Sequence, residues 1–250
     1  AAATETTAAR AALKNATAEQ TQFDVRMDVE DTVAGVITGA DGAATELFGD
    51  IPYTRTVTVQ GSLLALARED RSGALAYLGF TDAMDDRVTV RSGQLPQPTS
   101  TGPVEVLVPP ALLHDLDIEI GDEFGLANYA DRKDRADFKV VGTYTVNDPD
   151  DPVWLLDRLG GSAHRPDVVV PFTGGMVTTD GFGPIYTAIE EIETLPVDTV
   201  MLSYTPDFSA TSLTEVNEVL SRLESFERIL PRSVGDAGSG TEVVTASIRR

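Results

Sequence analysis

The chain has 250 residues, of which 42% are hydrophobic and 24% charged, so it can form one large folded domain or two small ones. Its 40 acidic and 19 basic residues give a formal net charge of −21, which repels phosphate backbones and argues against nucleic acid as a partner. It contains no cysteine, which excludes disulfides, thiolate chemistry and cysteine-containing zinc sites.

The chain shows no segment that is long and apolar enough to cross a membrane, which takes roughly 20 residues. Ala1 is not followed by the basic and apolar regions of a signal peptide. We therefore expect a water-exposed, processed or trimmed part of a longer protein.

The first quarter of the chain predicts a helix followed by two strands. Residues 4–20 are rich in alanine and favour a helix. In residues 23–29 apolar and polar side chains alternate, which is typical of a half-buried strand. Because Gly35, Gly39 and Gly42 interrupt residues 31–49, we expect only a short helix, near residues 43–48. Residues 56–66 again predict a strand.

The central part alternates short apolar stretches with turn signals, which indicates a compact β-rich region. The predicted elements are strands at 86–92, 104–108, 123–128 and 138–146, a loop at 93–102, a helix at 111–116 and an exposed hairpin tip at 130–137.

Three further segments follow this β-rich region. Residues 168–170 are three valines and predict a buried strand. Residues 173–185 are rich in glycine and predict a loop, and residues 187–194 predict a short helix.

The last quarter contains the clearest helix of the sequence. A strand is predicted at residues 197–204. Ser212 and Glu215 form a capping-box pair, apolar residues then recur at helical spacing, and Pro231 marks the expected end. A loop at 235–240 and a strand at 242–248 complete the chain.

These elements predict an α+β fold with two subdomains. Both chain ends, residues 1–70 and 195–250, would build one βαβ-type subdomain. Residues 71–194 would form an inserted, β-rich subdomain.

The sequence offers few candidates for catalysis. Its two histidines are His114, on a short predicted helix, and His164, two residues after Ser162. This spacing matches no hydrolase motif, so we interpret both as ordinary helix and loop residues and predict no catalytic residue.

Metal and phosphate sites are equally weak predictions. The acidic run at residues 147–152 could supply oxygen ligands to calcium, but it lacks EF-hand spacing, and we interpret it as a surface turn. Asp82, Asp85 and Asp86 are interpreted in the same way. The glycines within 173–185 lack the lysine and the strand-to-helix order of a phosphate loop. We therefore predict no metal and no cofactor.

Trp154 is the single tryptophan of the chain and follows an Asp-Pro turn. A large ring buries most area when it packs internally, so we favour a core or interface anchor. A contact with a partner is the alternative.

Three stretches together resemble a known family. The first, residues 90–96, reads Val-Arg-Ser-Gly-Gln-Leu-Pro. The second runs from the strand at 104–108 through Gly121-Asp122 to Phe124-Gly125-Leu126. The third joins residues 138–144, which contain Gly142 and Tyr144, to the Asp-Pro-Asp-Asp-Pro-Val-Trp stretch at 148–154.

In this order the stretches resemble the MacB-like periplasmic core domain of FtsX-like ABC-transporter permeases, of the type found in actinobacteria. The match covers about residues 86–156, with weaker similarity at 197–230. We single out the motif residues Trp154, Gly121, Asp122, Gly142 and Tyr144 as structural or partner-contact candidates.

The resemblance implies a non-catalytic domain looped between two membrane helices, on the extracellular side of the cell membrane. Its partners would be its own transmembrane helices, a second permease copy and a cytoplasmic subunit that hydrolyses ATP. The domain would pass on movement by mechanotransmission to a lipid or peptide cargo or to an extracytoplasmic protein. A secreted ligand-binding or adhesion module and a metal-dependent hydrolase are the alternatives.

Overall fold

The computed structural model describes residues 21–66, 73–128, 135–151, 153–154, 157–172 and 175–245. The elements are, in chain order, β1 (Phe23–Val29), α1 (Val33–Phe48), β2 (Tyr53–Leu66), β3 (Leu75–Thr81), α2 (Met84–Arg87), β4 (Val88–Gly93), β5 (Val104–Val108), α3 (Pro110–Leu116), β6 (Glu123–Asn128), β7 (Arg135–Val146), β8 (His164–Phe172), β9 (Gly175–Tyr186), α4 (Ile189–Ile192), β10 (Val197–Pro206), α5 (Leu213–Val234), a 3-10 turn (Gly235–Ala237) and β11 (Gly238–Thr245). The predicted α+β class is confirmed.

The chain divides into two units, one from residues 1–58 and 199–250 and one from residues 59–198. Both boundaries fall inside strands, β2 and β10, whereas the sequence placed them at 70/71 and 194/195. The difference arises because an uninterrupted strand carries no local signal of a change of unit.

The first unit contains four strands in the order β11-β1-β10-β2. β1 lies between β10 and β11 and is antiparallel to both. With α1 between β1 and β2, and α5 between β10 and β11, this connectivity is that of a ferredoxin-like βαββαβ motif. The second unit occupies the connection between the second and third strands of this motif. The helix predicted at residues 4–20 lies outside the described residues.

The prediction for residues 31–49 is wrong, because α1 is a 16-residue helix that contains all three glycines. Thr32 caps its first turn, where its hydroxyl accepts a hydrogen bond from the Gly35 N–H. A Cβ on Gly39 would lie 2.5 Å from the Val234 Cα atom. Gly39 therefore allows α1 and α5 to approach closely, which outweighs its poor helix propensity.

The helix near the C-terminus begins as predicted, with the reciprocal capping box of Ser212 and Glu215. It does not end at Pro231 but continues to Val234, and Gly235 donates its N–H to the Pro231 carbonyl. Burial of Leu230 and Val234 holds this last turn in place. The predicted loop at 235–240 is accordingly short, because β11 already begins at Gly238.

The second unit contains a closed ring of hydrogen-bonded strands, β2-β3-β9-β5-β7-β6, in which short β6 pairs with both β7 and β2. Two further strands lie outside the ring: β4 pairs with β7, and β8 pairs with β9. The ring encloses an apolar core that includes Leu64, Leu78, Val106, Leu112, Phe124, Phe138, Val140, Phe182 and Ile185. Closure of the ring by β6 removes open edges.

Most predicted strands of this unit are present, with local differences. Residues 84–87 form a helical turn before β4, and α4 covers only Ile189–Ile192 of the helix predicted at 187–194. Of the predicted hairpin tip at 130–137, residues 135–137 belong to β7 and the rest lie outside the described residues.

Two predictions for the β8–β9 segment are wrong. Val169 is 55% exposed, so the valine strand is not buried throughout. Gly181 and Gly183 lie in β9 rather than in a loop. Each packs closely: a Cβ on Gly181 would lie 2.7 Å from Val168, and one on Gly183 2.7 Å from Tyr77. These glycines are therefore used for close packing of strands.

The glycines of α1 give a direct test of this packing. We expect Gly39→Ala to lower the free energy of unfolding by about 1–3 kcal/mol, because its Cβ would meet the α5 backbone. Gly42→Ala is the matched control, since nothing lies within 4 Å of its Cβ, and it should stabilise by about 0.5–1 kcal/mol. Urea unfolding of both variants measures the difference, and equal effects would contradict the close approach.

Candidate contact surface

Of the two histidines, one is exposed and the other contacts residues of a neighbouring strand. His114 is exposed on α3. The Nε2 atom of His164 lies 2.9 Å from Asp180 Oδ1, and its ring stacks on Phe182 with centroids 4.6 Å apart. Ser162 is exposed, and among the described contacts no hydroxyl group meets either imidazole. His164 therefore links β8 to β9.

The acidic run forms a hydrogen-bonded turn. Asp148 Oδ1 accepts the N–H of Asp150 at 3.0 Å, and Asp151 Oδ1 accepts the N–H of Val153 at 2.9 Å. Asp151 also pairs with Arg87 at 3.4 Å. Within the described ranges no group of three or more acidic or histidine side chains could hold a metal ion. These carboxylates thus shape the turn that precedes Trp154.

Trp154 is 7% exposed and lies in the interior of its unit. Its Nε1–H donates to the Asp148 carbonyl at 2.8 Å. A Cβ on Gly161, whose φ is +73°, would lie 2.8 Å from the indole. The ring therefore holds together the two ends of the connection between β7 and β8, and burial gives it a packing role. A partner contact through Trp154 stays a prediction.

Tyr144 and Gly142 are interior positions of β7. Tyr144 is fully buried, donates its hydroxyl to the Pro184 carbonyl at 2.7 Å and packs edge-on against Tyr186. A Cβ on Gly142 would lie 2.7 Å from the Ser92 carbonyl oxygen. Gly142 fixes the packing of β7 against its neighbour β4, and Tyr144 fixes it against β9.

Gly121 and Asp122 form the turn before β6. Gly121 has a φ of +104°, which favours glycine, and its N–H donates to the Val140 carbonyl at 2.8 Å. The Asp122 carboxylate accepts the N–H of Glu119 at 2.9 Å, and its carbonyl accepts the N–H of Val140 at 3.0 Å. The turn thereby sets the register in which β6, the strand that closes the ring, pairs with β7.

A buried network centres on Asp157, which the sequence did not single out. One carboxylate oxygen accepts the Tyr77 hydroxyl at 2.5 Å, and the other accepts the N–H groups of Leu159 and Gly161, each at 3.0 Å. The neighbouring Arg158 pairs with Asp198 at 2.6 Å. Two adjacent side chains thus fasten this connection to the strands of the unit.

Burial is the main influence on the pKa values in this network. It raises the pKa of the Asp157 carboxyl, while the hydrogen bonds from Tyr77 and the two backbone N–H groups act in the opposite direction. Burial, followed by the nearby Asp157 charge, raises the pKa of Tyr77 well above its usual value. Tyr77 therefore stays a neutral hydrogen-bond donor.

Among the described residues, the three most exposed large apolar side chains lie on the β8–β9 hairpin. Residues 168–172 pair with residues 175–179, and we call these two segments the outer ribbon. Val169 is 55% exposed, Met176 65% and Val177 42%. Sequence reasoning missed this surface, although residues 168–179 form a run of 12 without a charged side chain, in a chain of which 24% is charged.

An open groove of about 670 Å³ lies in the first unit, between the end of α1 and the middle of α5. Its lining includes Leu47, Phe226, Ile229 and the cation Arg222. Arg222 donates to the Leu47 carbonyl and to Glu218, each at 3.4 Å. The cation is thus already engaged by its own unit.

Comparisons with known proteins add little beyond these observations. No protein-family profile and no curated protein matches the sequence. Among solved structures, the chain is similar to a domain from Porphyromonas gingivalis described as part of a permease protein, with 13% identity and a TM-score of 0.33. The alignment covers 91% of this chain and 90% of that domain. A TM-score of this size does not establish a shared fold.

None of the helices in the described ranges has the length and apolar character that crossing a membrane requires.

The Asp157 network gives a second test. We expect Asp157→Asn to lower the free energy of unfolding by about 1–3 kcal/mol at neutral pH, because the single amide oxygen can accept either the two backbone N–H groups or the Tyr77 hydroxyl, but not all three. Asp150→Asn is the control, since this side chain is exposed in the preceding turn and its own backbone N–H makes the contact.

The pH dependence of this difference has a definite sign. The folded pKa of Asp157 lies above the unfolded value of about 3.9, so the folded state binds the proton more tightly. The resulting stability is complete below the unfolded pKa and is lost as the pH rises through the folded pKa. The destabilisation caused by Asp157→Asn should therefore be larger at about pH 4 than at about pH 8. A larger effect at the higher pH would show that hydrogen bonding, not burial, dominates.

Proposed function

We propose that this chain is the extracytoplasmic, non-catalytic domain of a MacB/FtsX-like ABC-transporter permease. The observation that carries the proposal is the pairing of Phe23 with Thr245 at the edge shared by β1 and β11. Directly paired residues of antiparallel strands lie about 5 Å apart. A domain looped between two neighbouring membrane helices requires such closely spaced attachment points.

The residues of the family resemblance also occupy a coherent part of the fold. The three stretches supply β4, β5, β6 and β7, and the first three of these strands all pair with β7. Gly121, Asp122, Gly142 and Tyr144 set the register and packing of these strands. The resemblance thus rests on residues that determine structure together, which is what a conserved scaffold without catalytic groups would need.

The same geometry suggests how movement would be passed on. Helices attached before β1 and after β11 would act on one hydrogen-bonded pair of strands. β1 is also bonded to β10, from Phe23–Tyr204 to Asp28–Thr199, so a displacement at the attachment points would reach the centre of the sheet. ATP hydrolysis would take place in a separate cytoplasmic subunit, and a second permease copy would complete the transporter.

Side-specific labelling of the full-length protein tests the location. Because this chain lacks cysteine, single cysteines can be placed in it once cysteines outside the chain are replaced by serine. Ser100→Cys, at an exposed loop position, should react with a membrane-impermeant maleimide in intact cells. Val59→Cys is the control, since Val59 is fully buried and should react after denaturation only. Reaction of Ser100→Cys after lysis but not before would place the domain in the cytoplasm and overturn the proposal.

A further inference from the structure

The outer ribbon is a two-stranded structure at the end of a longer hairpin. β9 pairs with β3 from Gly181 onward and with β5 at Tyr186. In the part of the chain that the structure describes, residues 175–179 pair with β8 and with no other strand. The outer ribbon therefore has less support from its unit than the base of the same hairpin.

Polarity changes along the length of this hairpin. Its base carries charged side chains at Arg165, Asp167 and Asp180, and Asp180 binds His164. The next 12 residues, 168–179, carry none. The position of this run gives the hairpin a charged base and an uncharged outer end.

Exposed apolar side chains lie on both faces of the outer ribbon. Met176 is paired with Pro171, and Val169 with Thr178, so Met176 and Val169 lie on one face. Val177 is paired with Val170 and lies on the other face. Val170 packs against Ala65 and Leu75 of its own unit, whereas its cross-strand partner Val177 remains 42% exposed. Exposed apolar side chains thus lie on both faces, while Val170 holds one face to the unit.

This distribution fits a surface that contacts the exposed side chains of both faces at the outer end of the ribbon. From residue 168 to residue 172 the ribbon extends about 13 Å, at about 3.3 Å per residue. The boundary between headgroups and acyl chains accepts apolar groups to a depth of about 5–10 Å. β8 contains Pro166 and Pro171, which offer no N–H to an added strand, so strand addition at this edge is disfavoured.

Charge decides which kind of lipid surface is suitable. The outer ribbon contains no lysine or arginine, and the chain as a whole carries a formal net charge of −21. Anionic headgroups attract basic segments and repel such a chain. We propose that the outer ribbon inserts into the interfacial layer of a neutral, zwitterionic lipid surface, with Val169, Met176 and Val177 as the inserting side chains.

Fluorescence and flotation with phosphatidylcholine vesicles test this proposal on the 250-residue chain. Met176→Cys, labelled with an environment-sensitive dye, should show a blue shift and increased emission when vesicles are added. Ile120→Cys is the matched control, because Ile120 is 41% exposed in the same unit but lies outside the hairpin, and its dye should not respond.

A charge-insertion pair tests whether the apolar side chains cause the binding. Val169→Asp with Met176→Asp should weaken flotation with the vesicles by about tenfold or more, since each apolar group that is lost from the interface reduces the affinity. Ile120→Asp should leave flotation unchanged. Replacing part of the phosphatidylcholine with phosphatidylserine should weaken binding of the wild-type chain.

Three results would overturn the proposal. The wild-type chain would not float with phosphatidylcholine vesicles, or the double variant would bind as well as Ile120→Asp. The third result would be that the wild-type chain self-associates with rising concentration and does not bind vesicles, while the double variant stays monomeric. That result would make the outer ribbon a contact between copies of the chain. None of these results bears on the cysteine labelling of Ser100→Cys, which tests the location of the domain separately.

Discussion

The pairing of β1 with both β10 and β11 is the constraint on which the first unit depends. β1 is the first described strand, yet its hydrogen-bond partners come from the last fifth of the chain. The side chains of Val25 and Met27 are fully buried, so the strand contributes to the core as well as to the sheet. Without β11, β1 would have a hydrogen-bonded neighbour on one side only. The pairing of β11 with β1 brings the two ends of the motif side by side.

The second unit depends on a closure of its own. The short strand β6 pairs with β2 through Leu64–Asn128 to Leu66–Leu126 and with β7 through Glu123–Lys139 to Ala127–Arg135. Because the ring is closed, the apolar residues that it encloses are not exposed to solvent at an open strand edge. Tyr77 and Tyr144 lie outside this enclosed core and are buried as well, and their hydroxyls find oxygen acceptors at Asp157 and Pro184. A hairpin that is supported by such a ring at its base can display apolar residues at its outer end without disturbing the core.

Local patterns explain how much of this was predictable. The alternation at Phe23–Val29 and the capping box of Ser212 and Glu215 are encoded within a few residues, and both elements are present. Most of α1 was missed because the reason for Gly39 lies about 195 residues away, at Val234. The bond between Tyr77 and Asp157 spans 80 residues and has no periodicity to reveal it. The exposed ribbon was mistaken for a buried strand because three adjacent valines suggest burial on both faces, and the absence of charge over residues 168–179 was the signal that should have been weighed.

The motif residues illustrate the difference between a resemblance and a site. Gly121, Gly142 and Tyr144 were selected because their order resembles a family, and each occupies a position where the backbone or the packing requires it. Trp154 likewise closes a connection instead of facing solvent. These roles are structural and lie within the second unit. The surface available to partners is found elsewhere, on side chains that carry no motif.

The most direct measurement of the central claim is a hydropathy reading of the full-length coding sequence that contains this chain. If the chain is a permease domain, we expect an apolar segment of about 20 residues shortly before Ala1 and another soon after Arg250, each long enough to span a bilayer. Such segments would join the membrane to the neighbouring strands β1 and β11. A full-length sequence without a spanning segment on either side would contradict the permease assignment and favour a secreted binding module.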